Sequence, residues 1–178
     1  MTLSKQHVTT RKATLSDAEG IAKMGAHVFT VTFGHSVSPE DLQAYLDEAY
    51  TTEAICRVIE HPDKKMLVAT DEEGVLKGFV SLERGSSEPC VEDVESRVEL
   101  NRLYVAVEAH GQGVGTLLSR AIEQIAREEG FKNMWLGVWE ENEKAIQAYE
   151  RWGYKTVGDH DFQIGDIVQR DLIMLKAL

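Results

Sequence analysis

Apolar residues recur along the chain at two periods, and the switches between them divide it into elements. Val8 to Ala13 is short and extended, and Ser16-Asp17-Ala18-Glu19 reads as a capping box opening a helix through Ile21, Met24, Ala26, Val28 and Phe29. Ser38 followed by Pro39 and two acids repeats the start signal for a helix through Leu42, Tyr45, Leu46 and Ala49. Thr52 to Glu60 adds further helical turns that His61-Pro62 ends. The period then changes. Met66 to Ala69 and Val75 to Leu82 are β-rich runs around Asp71-Glu72-Glu73-Gly74, a hairpin signal. Arg84 to Glu95 is polar and reads as a loop. From Arg97 the residues alternate: Val98 and Leu100 point one way, Glu99 and Asn101 the other, and Leu103-Tyr104-Val105 continues the strand. A glycine-rich segment leads into an amphipathic helix through Leu117, Leu118, Ala121, Ile122, Ile125 and Ala126, closed by Gly130. Asn133 to Val138 is a strand, and Asn142 caps a helix carrying Ala145, Ile146, Tyr149 and Trp152 that stops at Gly153. Tyr154 to Val157 and Asp171 to Leu175 supply the last strands. The order βααα, ββ, β, α, β, α, ββ predicts an α/β (α+β) domain with one mixed sheet over residues 8–178, behind an N-terminal tail at 1–7.

Composition narrows the partners more than the fold. The chain has 178 residues, enough for one domain, and its 43% hydrophobic content excludes wholesale disorder. Its net charge of −11 repels phosphate backbones and anionic lipid heads, and no basic patch offsets it, so neither nucleic acid nor membrane is expected as a partner. Cys56 and Cys90 have neither a CxxC spacing nor the density of a disulfide framework, and the first 14 residues lack the apolar core of a leader. The expected compartment is the cytoplasm. Six histidines without HxxxH or carboxylate partners at ligand spacing predict no metal.

The chemistry concentrates in His110-Gly111-Gln112-Gly113-Val114-Gly115-Thr116, between a strand and a helix. Glycines there let backbone N–H groups converge at a helix N-terminus, a seat for a phosphate or pyrophosphate. A Walker A loop fails for want of a Lys before Thr116, and a dinucleotide fingerprint fails because GxGxG falls more than halfway along the chain. Taken alone, the three glycines also suit a tightly packed turn. They are not alone: Leu103-Tyr104-Val105 precedes them, and Asn142, Ala145, Tyr149 and Gly153-Tyr154 follow. Together these residues resemble the GNAT superfamily of acyl-CoA-dependent N-acetyltransferases over residues 8–178. The resemblance implies a mixed, mostly antiparallel sheet flanked by helices, with splayed mid-sheet strands holding acetyl-CoA as cosubstrate. Gly113 and Gly115 match the family glycines whose amides hold the pyrophosphate, whereas His110 stands where the family has Gln or Arg. Within the superfamily, Phe29 to Phe33, Ala44-Tyr45-Leu46, Trp135 to Glu140, Gly165-Asp166 and Asp171 to Met174 resemble PaiA-type polyamine N-acetyltransferases, which implies a small amine such as spermidine as acceptor.

Residue by residue, the resemblance implies that Tyr149 protonates the departing thiolate and that the backbone of Leu103, Tyr104 and Val105 pairs with the pantetheine arm. His110, Gly111, Gln112, Gly113, Val114, Gly115 and Thr116 surround the pyrophosphate, and Asn142 and Ala145 lie beside the arm. Glu99, on the polar face eleven residues before His110, matches the family's glutamate base. Physical chemistry requires such a group, because an aliphatic amine of pKa ~10 is neutral in roughly one molecule per thousand at neutral pH. The competing structural readings are a core tyrosine for Tyr149, an N-cap for Asn142, and an ion pair with Arg97 or Arg102 for Glu99. Phe29, Phe33 and Asn101 are candidate acceptor-binding residues, although two aromatics four apart on a helix also suit a core. Trp135 and Trp139 read as packing, and Glu88, Glu92, Asp93, Glu95 and Glu99 as an acidic cluster that attracts a polycation. No Ser-His or Cys-His pair supports a covalent acyl-enzyme, so transfer is expected directly in a ternary complex. Protein N-termini, lysines or small metabolites are alternative acceptors, a CoA-binding regulatory module is the non-enzymatic alternative, and a homodimer stays open.

Overall fold

The computed structural model describes residues 7–178, so the expected tail at 1–7 lies, His7 apart, outside the described residues. One seven-stranded sheet runs through them: β1 (Thr9–Lys12), β2 (Lys64–Thr70), β3 (Leu76–Glu83), β4 (Arg97–Val105), β5 (Asn133–Trp139), β6 (Lys155–Ile164) and β7 (Ile167–Ala177), in the order β1-β2-β3-β4-β5-β7-β6. Only β4 and β5 run parallel. That pairing needs a crossover, and the helix α4 (Val114–Glu128) supplies it. The remaining helices are α1 (Ala18–Phe33), α2 (Pro39–Ala49), α3 (Thr52–Glu60) and α5 (Glu143–Arg151).

Both faces of the sheet are covered, so its central strands are apolar on both sides. Leu67, Val80, Leu82, Val98, Leu100 and Met134 meet Leu118 and Ile122 of α4 on one face. On the other, Met66, Val68 and Phe79 meet Ile21 and Phe29 of α1 and Ile55 of α3. The capping box falls two residues before the expected one and opens a 3₁₀ turn over Leu15–Asp17 that leads into α1 at Ala18: Asp17 accepts the Thr14 backbone N–H at 2.8 Å and both arms of Arg11 at 2.8 Å. A longer connection between Arg11 and α1 gives the carboxylate a cationic partner as well as a free amide. The closing hairpin is also longer than its apolar runs suggest. Residues 158–164 and 167–170 stay in β6 and β7, although Asp159, His160, Asp161, Gln163, Gln169 and Arg170 hide the alternation. β6 is the edge strand of the sheet, and its far end reaches the α1–α3-side core through Phe162 and Ile164.

The strand carrying Glu99 departs from simple alternation. Ser81 pairs with Arg102 and Leu82 with Leu100, so Asn101 is an extra residue on β4, a β-bulge. The bulge reverses the facing of everything after it. Val98 and Leu100, but then Leu103 and Val105, join the α4 side, while Tyr104 joins the α1–α3 side. Asn101 nevertheless stays beside Glu99, to which its side-chain amide donates, and Arg102 and Tyr104 then continue that face.

Candidate active site

The site begins where β4 and β5 part. Their pairing covers only Arg97 with Asn133, Val98 with Met134 and Glu99 with Trp135. Beyond Glu99, β4 stays on β3 as far as Val105, and β5 stays on β7 as far as Trp139. The sheet thus forks, and the edge of β4 over Leu100–Val105 that faces β5 has no strand partner. A parallel pair joined by a packed helix opens when a bulge twists one member away, which is what Asn101 does here. An extended chain with amide groups can add to such an edge.

At the end of that edge the chain turns into α4. Gly111 and Gly113 have φ of +74° and +84°, values open to glycine, and a Cβ at either would meet nothing within 4 Å. The amides at the start of α4 follow Gly113, which lends the helix no side-chain cap, and the first helical bond runs from Leu117 to the Gly113 carbonyl. They therefore face open space at the positive end of a 15-residue helix. His110 and Gln112 are occupied otherwise: the His110 ring lies 3.0 Å from the Val105 carbonyl and Gln112 donates to the Glu108 carbonyl at 2.8 Å, so both side chains brace the turn. Val114 is buried in the core and Thr116 half-buried. At Gly115 a Cβ would lie 3.5 Å from Trp152 and 3.6 Å from Val105, ordinary contact distances, so packing alone does not demand glycine at that position. A diphosphate fits this cradle by charge and by space, and an extended amide-bearing arm fits the free edge of β4.

Tyr149 is brought in by α5. Asn142 accepts the Ala145 amide at 3.3 Å, so its side chain is the N-cap, and Ala145 packs into the α4-side core. The Tyr149 ring stands edge-on to Trp152 and Tyr154, with centroids at 5.6 and 5.7 Å, and packs against the same core. Burial raises its phenol above the ordinary value, and Tyr104 across the fork raises it further. The hydroxyl is therefore protonated at neutral pH, and it makes no hydrogen bond among the described residues.

Glu99 occupies the opposite side of the fork. Strand register puts it in one row with Lys64, Glu83 and Trp135, on the face that α1–α3 cover. It pairs with neither Arg97, which donates to the Val94 carbonyl and to Ser87, nor Arg102. Its partner is the bulged Asn101, whose amide donates to it at 3.3 Å. Burial raises the Glu99 carboxyl above its ordinary value, more than the hydrogen bond from Asn101 lowers it. A carboxylate and a phenol thus flank the fork from its two faces.

The rest of the cleft corrects several expectations. Phe29 is 3% exposed, stacked on Tyr45 at 4.4 Å and buried in the core, so it lines nothing. Phe33 is half-buried and faces Trp139 at 5.1 Å, and His35 faces the same indole at 5.7 Å. Trp139 is therefore packed against the end of α1 and the turn that follows it, and Trp135 is packed with Val91 and Ile173. The acidic cluster divides: Glu92, Asp93 and Glu95 are exposed, and Glu88 is 2.7 Å from His160, whose other nitrogen is 3.6 Å from Asp171. Asp171 pairs with Trp139 across the sheet and is raised by burial, which His160 partly offsets. Alternation did not single out Arg102, Tyr50, Asp171 or His160. The sign of Arg102 was there in two adjacent polar residues, Asn101-Arg102, inside an apolar strand. Among the described residues no cluster of His, Cys, Asp and Glu is arranged to hold a metal, and no helix is long and apolar enough to cross a membrane.

Comparison with known proteins supplies the family. The model of the Acetyltransferase (GNAT) family matches residues 29–154, from α1 past the Tyr149 helix. The chain belongs to the GNAT acetyltransferase family. Among relatives, an uncharacterised N-acetyltransferase of Lactobacillus delbrueckii subsp. lactis, encoded in the pepI 3′ region, is 30% identical over 151 residues, 84% of this chain and 86% of the relative. The uncharacterised N-acetyltransferase Rv2669 of Mycobacterium tuberculosis is 26% identical over 164 residues, 92% of this chain and 99% of its own. Among solved structures, PaiA N-acetyltransferase from Thermoplasma acidophilum, in complex with coenzyme A, superposes with a TM-score of 0.78 at 23% identity, covering 97% of this chain and 99% of that one. The seven-stranded, mostly antiparallel sheet with flanking helices is the GNAT fold, and this member of the family is an acetyltransferase.

Proposed function

We propose that this GNAT protein transfers an acetyl group from acetyl-CoA to a primary amine, directly and within a ternary complex, as one domain spanning residues 8–178. The observation that carries the reading is the fork: it opens at Glu99, faces Tyr149, and ends at the uncapped amides beyond Gly113. Bound acetyl-CoA supplies an acetyl thioester open to attack by a neutral amine. The amides of Gly111 to Thr116 hold the pyrophosphate, the β4 edge at Leu103, Tyr104 and Val105 orients the arm, and α5 sets Tyr149 beside the sulfur. Glu99, directly or through a water, takes the proton that the amine must lose for its nitrogen to attack. As the C–S bond breaks, the Tyr149 hydroxyl donates to the sulfur. Its raised pKa holds the proton in place until negative charge develops there. Initial rates over both substrates test direct transfer: intersecting double-reciprocal lines are expected, and parallel lines would establish a covalent acyl-enzyme instead. The compartment that fits an acetyl-CoA-dependent enzyme is the cytoplasm.

Two acceptor classes each have an observation behind them. A polyamine such as spermidine draws support from the likeness to the PaiA structure and from Glu88, Glu99 and Asp171 around the cleft. An ammonium about 4 Å from a partly exposed carboxylate gains on the order of 1–4 kcal/mol, and that gain weakens with salt. Spermidine should then outperform a monoamine of similar length at low ionic strength; equal kcat/KM for the two would exclude it. An amine bearing its own anionic group draws support from Arg102.

A further inference from the structure

Arg102 is a cation on the forked part of β4, beyond Glu99, without an anion of its own among the described residues. Register sets it between Glu99 and Tyr104 on the face that α1–α3 cover, opposite Ser81. Its guanidinium lies over the Tyr50 ring, 5.1 Å from the centroid, and the Tyr50 hydroxyl donates to that of Tyr104 at 2.7 Å, which fixes the plane on which the cation rests. The other arginines show what is missing. Arg11, Arg84, Arg127 and Arg170 each hold a carboxylate, Arg97 holds a carbonyl and a hydroxyl, and Arg57, Arg120 and Arg151 are exposed to water. Arg102 is half-buried, none of its nitrogens donates a hydrogen bond among the described residues, and Nη1 is shut off from solvent. The Ser81 hydroxyl across the strand is likewise buried without a partner. Leaving a buried donor unpaired is costly, and for a charged one more so, so a fold retains such a group where something else completes it. The carboxylates that border the cleft are engaged elsewhere, Glu99 with Asn101 and Asp171 with His160.

We propose that Arg102 binds a carboxylate on the acceptor, so that the substrate class is an amine that also carries a carboxylate: an amino acid or an amino-carboxylic acid. The planar fork of a guanidinium suits two parallel bonds to a carboxylate, and the aromatic floor of Tyr50 holds that fork flat. A polycation brings no such group and meets the charge of Arg102 head-on. The inference rests on the amine-acetyltransferase reading above, and its test separates the two.

Three pairs of amines that differ only by a carboxylate serve as probes: 4-aminobutyrate and propylamine, lysine and 1,5-diaminopentane, phenylalanine and 2-phenylethylamine. Binding to the CoA-loaded protein is measured by calorimetry and turnover by thiol release. In at least one pair the carboxylated member should bind about ten- to a hundredfold more tightly, the range for a hydrogen bond to a charged group. Arg102→Met should erase that difference while leaving the decarboxylated partner and CoA affinity unchanged, and Arg102→Lys, which keeps the charge and loses the fork, should restore part of it. Should Arg102→Met not fold, the Lys variant and the wild-type pairs still decide. Equal or weaker binding of the carboxylated member in all three pairs overturns the inference, with or without turnover. A carboxylate preference in binding with no turnover of any amine would instead uphold Arg102 and overturn the acetyltransfer reading.

Discussion

Replacing Glu99 by Gln keeps the shape of the side chain and its contact with Asn101 while removing the one atom pair able to accept a proton. An amine of pKa ~10 is about three units from neutral at pH 7, a deficit of roughly 4 kcal/mol that the enzyme must meet or leave to solvent. A positioned base recovers typically 10²–10⁴ in rate, so Glu99→Gln should lower kcat/KM at pH 7 within that range. The form of the profile says more than the size. Burial raises the Glu99 carboxyl, so the wild-type rate should climb as that group loses its proton, with an acid limb above the ordinary carboxylate range. The variant should instead climb with unit slope toward the pKa of the amine. Stability adds a second readout. A carboxyl raised in the fold binds its proton more tightly there than in the unfolded chain, so stability falls as pH rises from its unfolded value through its folded one. At pH 7 the wild type bears that cost and the variant does not. Glu99→Gln should thus melt no lower than wild type at pH 7 and lose any advantage in acid. Wild-type pH dependence of kcat/KM in the folded variant would refute the base; a melting point several degrees lower would make Glu99 structural.

Three further substitutions probe the remaining parts. Gly113→Val forces a branched side chain to a φ of +84°, costs about 1–2 kcal/mol of backbone strain and projects into the cradle, so acetyl-CoA affinity by calorimetry should fall at least tenfold; unchanged affinity in a folded variant removes the cradle. Tyr149→Phe keeps the ring packed on Trp152 and Tyr154 and should lower kcat about 10–1000-fold with little change in KM for acetyl-CoA, whereas wild-type kcat would reduce Tyr149 to packing. Asp17, held at a pKa of about 2 by Arg11 first and Thr14 next, adds stability that is complete above its unfolded value of 3.8 and lost as pH falls through about 2. Because the pair is partly screened by solvent, Asp17→Asn should cost about 1 kcal/mol at pH 7 by chemical denaturation, and the gap should close in acid.

How far the sequence announced this molecule differs from element to element. The helices over 39–49 and 52–60 carry their caps in the chain, and Ser38 and Thr51 accept the amides of Asp41 and Ala54 as such residues do. The glycine turn is legible for the same reason: positive φ at Gly111 and Gly113 is a local property of two residues. The fork is legible only through resemblance, since nothing in Leu103-Tyr104-Val105 says that the neighbouring strand has moved away. The bulge hides in a single residue, and with it goes the face on which Arg102 and Tyr104 lie, because one inserted residue inverts all that follow. Phe29 and Phe33 have the same periodicity and different fates. Tyr45 and Tyr50, from segments distant in sequence, close over the first, while the second is left against Trp139. Such contacts depend on which elements meet, a matter of tertiary packing that periodicity along one helix cannot encode.

The most direct test of the account is a mass balance. Purified protein is mixed with acetyl-CoA and the amines named above together with spermidine; free thiol is followed continuously and the acetylated amine is identified by mass. One acetylamide for each thiol released, from at least one amine and at a rate that falls in Glu99→Gln and Tyr149→Phe, is the result the fork predicts. Tight binding of acetyl-CoA with thiol release no faster than in the absence of protein, for every amine, would contradict it.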